Sequence, residues 1–234
     1  GYDEFDYVYS AIKYEGISYL LKTEDDEEII KALEKAIDQI DKSHKMEEMV
    51  VRAKEQISLA LPLLQKEYIN SLLYEESESS DVEQGQFDAM EIPLKADLPI
   101  VLLFGRIDNM PEKISAMKKN EYKYSINLIV EKYLSPRTEI FFVTQEPNSM
   151  LWILQPKIHA INTVDINLDS RLWERTVLFV RETLENIQAA CKESLNLSTS
   201  YVMNDTPFPW NQISQKFNYL KTLLDYRIGA GSEM

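Results

Sequence analysis

The chain has 234 residues, 44% of them apolar and 27% charged, with a formal net charge of −14. That length holds one large domain or two small ones. The charge excludes broad contact with nucleic acid by this chain, since neutralising phosphates needs clustered Lys and Arg. No run approaches the roughly 18 apolar residues of a membrane span, and no signal peptide opens the chain, so no membrane contact is expected. The single cysteine, Cys191, cannot pair within the chain, which suits a cytoplasmic setting. His44 and His159 are the two histidines, and neither has metal-ligand spacing to a His or Cys. With six glycines and no phosphate-cradling loop, neither metal nor cofactor is expected.

In chain order, Asp3–Tyr14 reads as a helix through Phe5, Val8, Ala11 and Ile12, and Ile17–Leu21 as a short strand. Thr23 and Asp25 are candidate caps for the next helix, which carries the stripe Ile29, Ile30, Leu33, Ala36, Ile37 and Ile40. One strand between two helices cannot build a core, so residues 1–42 read as part of something larger. From His44 to Glu76 the pattern is helical again. Met46, Val50, Ala53, Ile57, Ala60 and Leu64 are spaced 4-3-4-3-4, a heptad seam. The segment 43–76 therefore reads as a helical linker of roughly 50 Å, packed on its own domain or paired as a parallel dimer coil. Pro62 marks a kink or a fresh helix start. Residues 77–97, opening with an acidic, Ser-rich run, read as a flexible loop at a domain boundary.

The domain at 98–234 then alternates its elements. Pro99–Ile107 is an apolar strand, and Pro111–Tyr133 a helix with Ile114, Met117, Tyr122, Ile126, Ile129, Val130 and Tyr133 to one side. Thr138–Thr144 and Met150–Gln155 form a hairpin about the turn Gln145–Ser149. Asp169–Leu195 is a long helix with Leu172, Thr176, Phe179, Val180, Thr183, Leu184 and Ile187 inward, and Ser198–Met203 is a strand. Pro209–Arg227 is the last helix, carrying Ile213, Phe217, Leu220, Leu223 and Leu224 and ending at Gly229. The order β-α-β-β-α-β is the ferredoxin-like arrangement, an α+β class with helices over one sheet face. Tyr201, Phe208 and Trp210, with Trp152, read as core aromatics rather than a pocket.

The opening GYDEFDYVYSAIKYEGISYLLKTEDDEEIIKALEKAI resembles the last third of a response-regulator receiver domain, its fourth helix, fifth strand and fifth helix. That resemblance implies that Lys22 matches the lysine contacting the phosphoryl group and Tyr19 the aromatic that reports activation. The family's acceptor aspartate would lie upstream of Gly1, and Thr23 stands where a proline usually follows the lysine, so the chain reads as a receiver fragment. LPLLQKEYINSLLYEE and LPIVLLFGRIDNMPE resemble the linker helix and first strand of the GGDEF-like middle region in response regulators ending in an AraC-type DNA-binding domain. In active cyclases the turn between the second and third strands carries Gly-Gly-Asp/Glu-Glu-Phe; here that hairpin reads Thr144-Gln145-Glu146-Pro147-Asn148. Arg106 and Asp108 occupy the region of the metal-holding acids, and Arg106 would repel a cation. The resemblance thus implies a degenerate, non-enzymatic GGDEF-like domain, homodimeric and relaying receiver state. A sensor histidine kinase and DNA are implied as partners of the full-length protein only. Degenerate nucleotide sensing is the alternative.

Overall fold

The structure is a computed structural model that describes residues 25–74, 82–111, 113–145, 147–157 and 170–230. The expected helix and strand before Asp25, with Tyr19 and Lys22, lie outside the described residues. The chain divides into two compact units, residues 1–61 and 62–234.

Helix α1 spans Asp26–Tyr74 without a break and contains Pro62. Its start is capped by Asp25, whose Oδ1 accepts the Glu28 N–H at 3.1 Å, with Asp26, Glu27 and Glu28 in the positive first turn. The expected boundary between residues 42 and 43 is therefore no break in the chain's helicity: one helix carries both the first stripe and the linker.

Four strands follow: β1 Val101–Ile107, β2 Thr138–Gln145, β3 Ser149–Pro156 and β4 Thr199–Met203. They form one sheet of order β2-β3-β1-β4 in which every neighbouring pair is antiparallel. Between them lie α2 Gln84–Ala89, α3 Ala116–Leu134 and α4 Ser170–Leu195, and α5 Ile213–Ala230 closes the unit after a 3-10 turn at Trp210–Gln212. The fold is mixed, helices with a four-stranded antiparallel sheet, as the α+β expectation requires.

Both faces of the sheet are covered, which corrects the one-face expectation. On one face Val101, Leu103, Met150, Trp152 and Leu154 meet Ile126 and Val130 of α3 and Val177, Val180 and Ile187 of α4. On the other, Leu102, Phe104, Phe141, Val143, Leu151 and Ile153 meet Phe217, Leu220 and Leu224 of α5 and Ile69, Leu72 and Leu73 of α1. This second layer explains why β1 reads as a continuous apolar run rather than an alternating one: a strand buried on both sides needs apolar residues at every position. The end of the linker helix belongs to this domain's core, so the domain begins near Pro62 and not at residue 98.

The expected flexible loop at 77–97 is likewise corrected where it is described. Phe87 of α2, Ile92 and Leu94 are buried in the second core. Phe87 stands edge-on to Trp210 with ring centroids 5.0 Å apart. Gln155 on β3 holds this segment: its Oε1 accepts the Lys95 N–H and its Nε2 donates to the Lys95 carbonyl, both at 2.8 Å. Three apolar anchors within an acidic stretch were enough to order it.

Smaller differences have local causes. Helix α3 starts at Ala116, after Ser115 caps the Lys118 N–H, rather than at Pro111. Its inward face is Lys123, Ile126, Asn127, Val130 and Leu134, while Met117 is exposed. Helix α5 runs on through Gly229 instead of ending there, and Leu223 sits at its exposed edge. Helix α4 ends as expected, with Asn196 in the left-handed region at φ 54° and the Leu197 N–H reaching back to the Cys191 carbonyl. The four aromatics read as one cluster are split by the sheet. Trp152 and Tyr201 share one face at 5.9 Å, and Phe208 and Trp210 lie in the other core.

Candidate functional site

The proposed seam is placed on the outside of α1. Met46 is 64% and Ile57 60% exposed, and Val50, Ala53, Ala60 and Leu64 are exposed with them. Charged residues on the other sides pair locally, as Arg52 does with Glu48 across one turn at 3.5 Å. The earlier stripe of Ile29, Ile30, Leu33, Ile37 and Ile40 is exposed as well. At 3.6 residues per turn, the two stripes point to different sides of the helix, roughly 140° apart. In the heptad frame of a coil, however, Ile29 and Ala36 of the first stripe stand in register with Val50, Ile57 and Leu64, so a pairing through the seam covers that stripe in part. Soluble chains seldom leave so many large apolar side chains in water without a partner.

Where α1 reaches the sheet, it grips the β2–β3 hairpin. Gln145, the last residue of β2, donates through Nε2 to Asn70 Oδ1 at 3.0 Å and accepts through Oε1 from the Tyr74 hydroxyl at 3.2 Å. Asn70 and Tyr74 are one helical turn apart on α1, so they face the same way. From the opposite sheet face, Lys123 of α3 places its Nζ 2.6 Å from the Gln145 carbonyl oxygen, which accepts it. Lys123 is almost wholly buried, and its Nζ meets the Gln145 carbonyl there in place of water. The hairpin is clamped from both sides through one residue. Sequence reading missed Lys123 because a lysine among apolar residues at helical spacing reads as an exposed position. Its one signal was its place three residues before Ile126, on the inward stripe.

The same end of the sheet carries Arg106 and Asp108. Arg106 Nε donates to Asp108 Oδ1 at 3.1 Å, and its Nη1 donates to the Leu224 carbonyl at 3.2 Å. The other Asp108 oxygen accepts the Ser200 hydroxyl at 2.7 Å. Both carboxylate oxygens are thus engaged by protein groups, a guanidinium and a hydroxyl. Glu146, the one acid in the turn, lies outside the described residues. Among the described residues, no group of three or more His, Cys, Asp or Glu could hold a metal ion. No described helix is long and apolar enough to cross a membrane.

Cys191 is buried on α4, with Sγ 3.8 Å from the Tyr201 hydroxyl. Burial pushes both groups above their ordinary values, the thiol and the phenol alike. A raised pKa keeps the thiol protonated and inert, as a core reading of Cys191 expects.

No protein-family model, no curated protein and no solved structure matches this chain.

Proposed function

We propose that this chain is the regulatory middle region of a two-component response regulator and works by assembly rather than by chemistry. Two copies pair through Met46, Val50, Ala53, Ile57, Ala60 and Leu64, and the paired helices relay receiver state to DNA-binding domains of the full-length protein. The sheet domain is a ferredoxin-like, GGDEF-like module whose nucleotide and metal groups have been replaced, and it is not an enzyme. The chain itself touches neither DNA nor membrane, and the whole protein is cytoplasmic.

The observation that carries this reading is the exposed seam on a helix that continues, unbroken, to the residues gripping Gln145. Burying the seam side chains on dimerisation contributes roughly 25 cal/mol per Å² of apolar surface removed from water. Within the second unit, Asn70 and Tyr74 near the end of this helix hydrogen-bond Gln145 of the hairpin. Engagement of Asp108 by Arg106 and Ser200 supports loss of catalysis and disfavours nucleotide sensing at that position.

Sedimentation equilibrium of the wild-type chain and Ile57→Asp tests the assembly. The wild type should sediment as a dimer and the variant as a monomer with an unchanged far-UV spectrum. A monomeric wild type, or a variant that dimerises equally well, would refute the seam.

A further inference from the structure

At the end of the sheet away from the Gln145 hairpin, cations gather without an acid among the described residues to pair with. Arg137 and Lys157 stand opposite each other one step beyond the last paired residues of β2 and β3, Thr138 with Pro156. There the Lys157 N–H donates to the Arg137 carbonyl at 2.8 Å. Like charges set directly across a strand pair repel, so this juxtaposition costs stability unless something offsets it. The Arg137 guanidinium carbon sits 4.9 Å from the centre of the Phe179 ring on α4. Phe179 is one helical turn beyond Arg175 on the same side of α4, which brings a third cation to the same place. None of the three forms an ion pair with a described carboxylate, although acids outnumber Lys and Arg in the chain by 39 to 25.

Among the described residues, these cations line a cavity of about 190 Å³ together with Pro136, Leu172 and Thr176. Thr176 spends its hydroxyl proton on the Leu172 carbonyl at 2.8 Å, so the side-chain donors of the cavity are those of the cations. Pro136 and Leu172 add an apolar wall. The volume is below the roughly 300 Å³ at which drug-sized sites begin, which suits one phosphate with a few carbons and not a nucleotide. Guanidinium groups fit phosphate oxygens two at a time, and a dianion offsets more of the mutual repulsion than a carboxylate does. An extended polyanion gains little, because the cations form one cluster on a strongly acidic chain rather than a track along successive phosphates.

We propose that this cavity binds a small phosphate monoester, its phosphate held by Arg137, Lys157 and Arg175 and its carbon body against Pro136 and Leu172. The site lies within the second unit and does not depend on the dimer or receiver reading.

Calorimetric titration of the full 234-residue chain at pH about 7.5, above the second phosphate pKa of about 6, separates charge from shape. Propyl phosphate carries the dianion and a short apolar body, and inorganic phosphate lacks the body. Butyrate puts a single negative charge on a similar body, and GMP is a phosphate monoester too large for the cavity. Propyl phosphate should bind saturably and inorganic phosphate more weakly, with butyrate and GMP not binding at millimolar concentration. Arg175 is exposed, so Arg175→Gln tests binding without disturbing the core, and it should weaken propyl phosphate about tenfold. Lys221→Gln on α5, across the sheet, removes the same charge and should leave binding unchanged. Absence of saturable propyl phosphate binding, equal binding of butyrate or GMP, or equal losses in Arg175→Gln and Lys221→Gln would overturn the proposal.

Discussion

Single residues decide much of the packing in the sheet domain. Gly105 sits in the middle of β1, where an added Cβ would lie 2.8 Å from the Tyr201 ring and 2.9 Å from Trp152. Both rings are held in place, one by Cys191 and the other by Asn127, so neither can retreat cheaply. Gly105→Ala should cost about 1–3 kcal/mol in urea unfolding, through overpacking rather than strand propensity. Gln155 is the polar counterpart. Its Nε2 also donates to the Leu98 and Pro99 carbonyls at 3.2 Å, so Gln155→Leu strands several buried partners at once. A loss of about 2–4 kcal/mol is expected, with faster amide exchange at Lys95 as its local signature. Tyr201 and Cys191 give the pH dependence. Their folded values lie above the ordinary 10.0 and 9.0, so the folded state holds protons that the unfolded chain releases. The stability they contribute is complete below pH about 9 and is lost as pH rises beyond it. Tyr201→Phe should flatten that alkaline decline relative to wild type in denaturation curves taken between pH about 8 and 10.5.

At the scale of elements, α1 does two things with two sets of residues. Its last turns are core, with Ile69, Leu72 and Leu73 buried and Tyr74 edge-on to Phe217 at 5.7 Å. Its earlier turns carry two apolar stripes, and of the first only Ile29 and Ala36 stand in heptad register with Val50, Ile57 and Leu64. Ile37→Asp, off the heptad line, should leave the sedimenting species unchanged where Ile57→Asp dissociates it; joint dissociation would contradict the heptad register. The hairpin clamp is a second coupling of elements. Gln145→Leu removes the bonds to Asn70 and Tyr74 but keeps the carbonyl that Lys123 reaches. Amides in the final two turns of α1 should then exchange faster than in wild type, with α3 little changed. A uniform rise across both helices would indicate general loosening instead of a lost grip.

For the whole molecule, the layered arrangement of the second unit and the chemistry at Arg106 point the same way. A sheet sealed on both faces leaves its surface chemistry to the rims, and at the hairpin rim the acid is already neutralised. Incubation with GTP and magnesium should leave the nucleotide unconverted, and guanine nucleotides should not shift the melting temperature. Either product formation or a guanine-specific shift would reopen the catalytic or sensing reading.

Strand and helix identity in residues 98–230 was legible from local pattern, because apolar period and turn residues are properties of short windows. The hairpin about Gln145–Ser149, the four strands and the core stripes of α4 and α5 follow from that alone, and so does the heptad spacing of the seam. The second helical layer was not legible, since nothing local says that Tyr74 and Phe217, so far apart in the sequence, meet in space. Nor was the burial of Lys123, the ordering of Phe87 within an acidic run, or the splitting of the four aromatics between two cores. Each depends on which distant group completes a hydrogen bond or fills a void. Only the folded chain brings those groups within reach, because burial and polar satisfaction are settled by neighbours in space while periodicity is settled by neighbours in sequence.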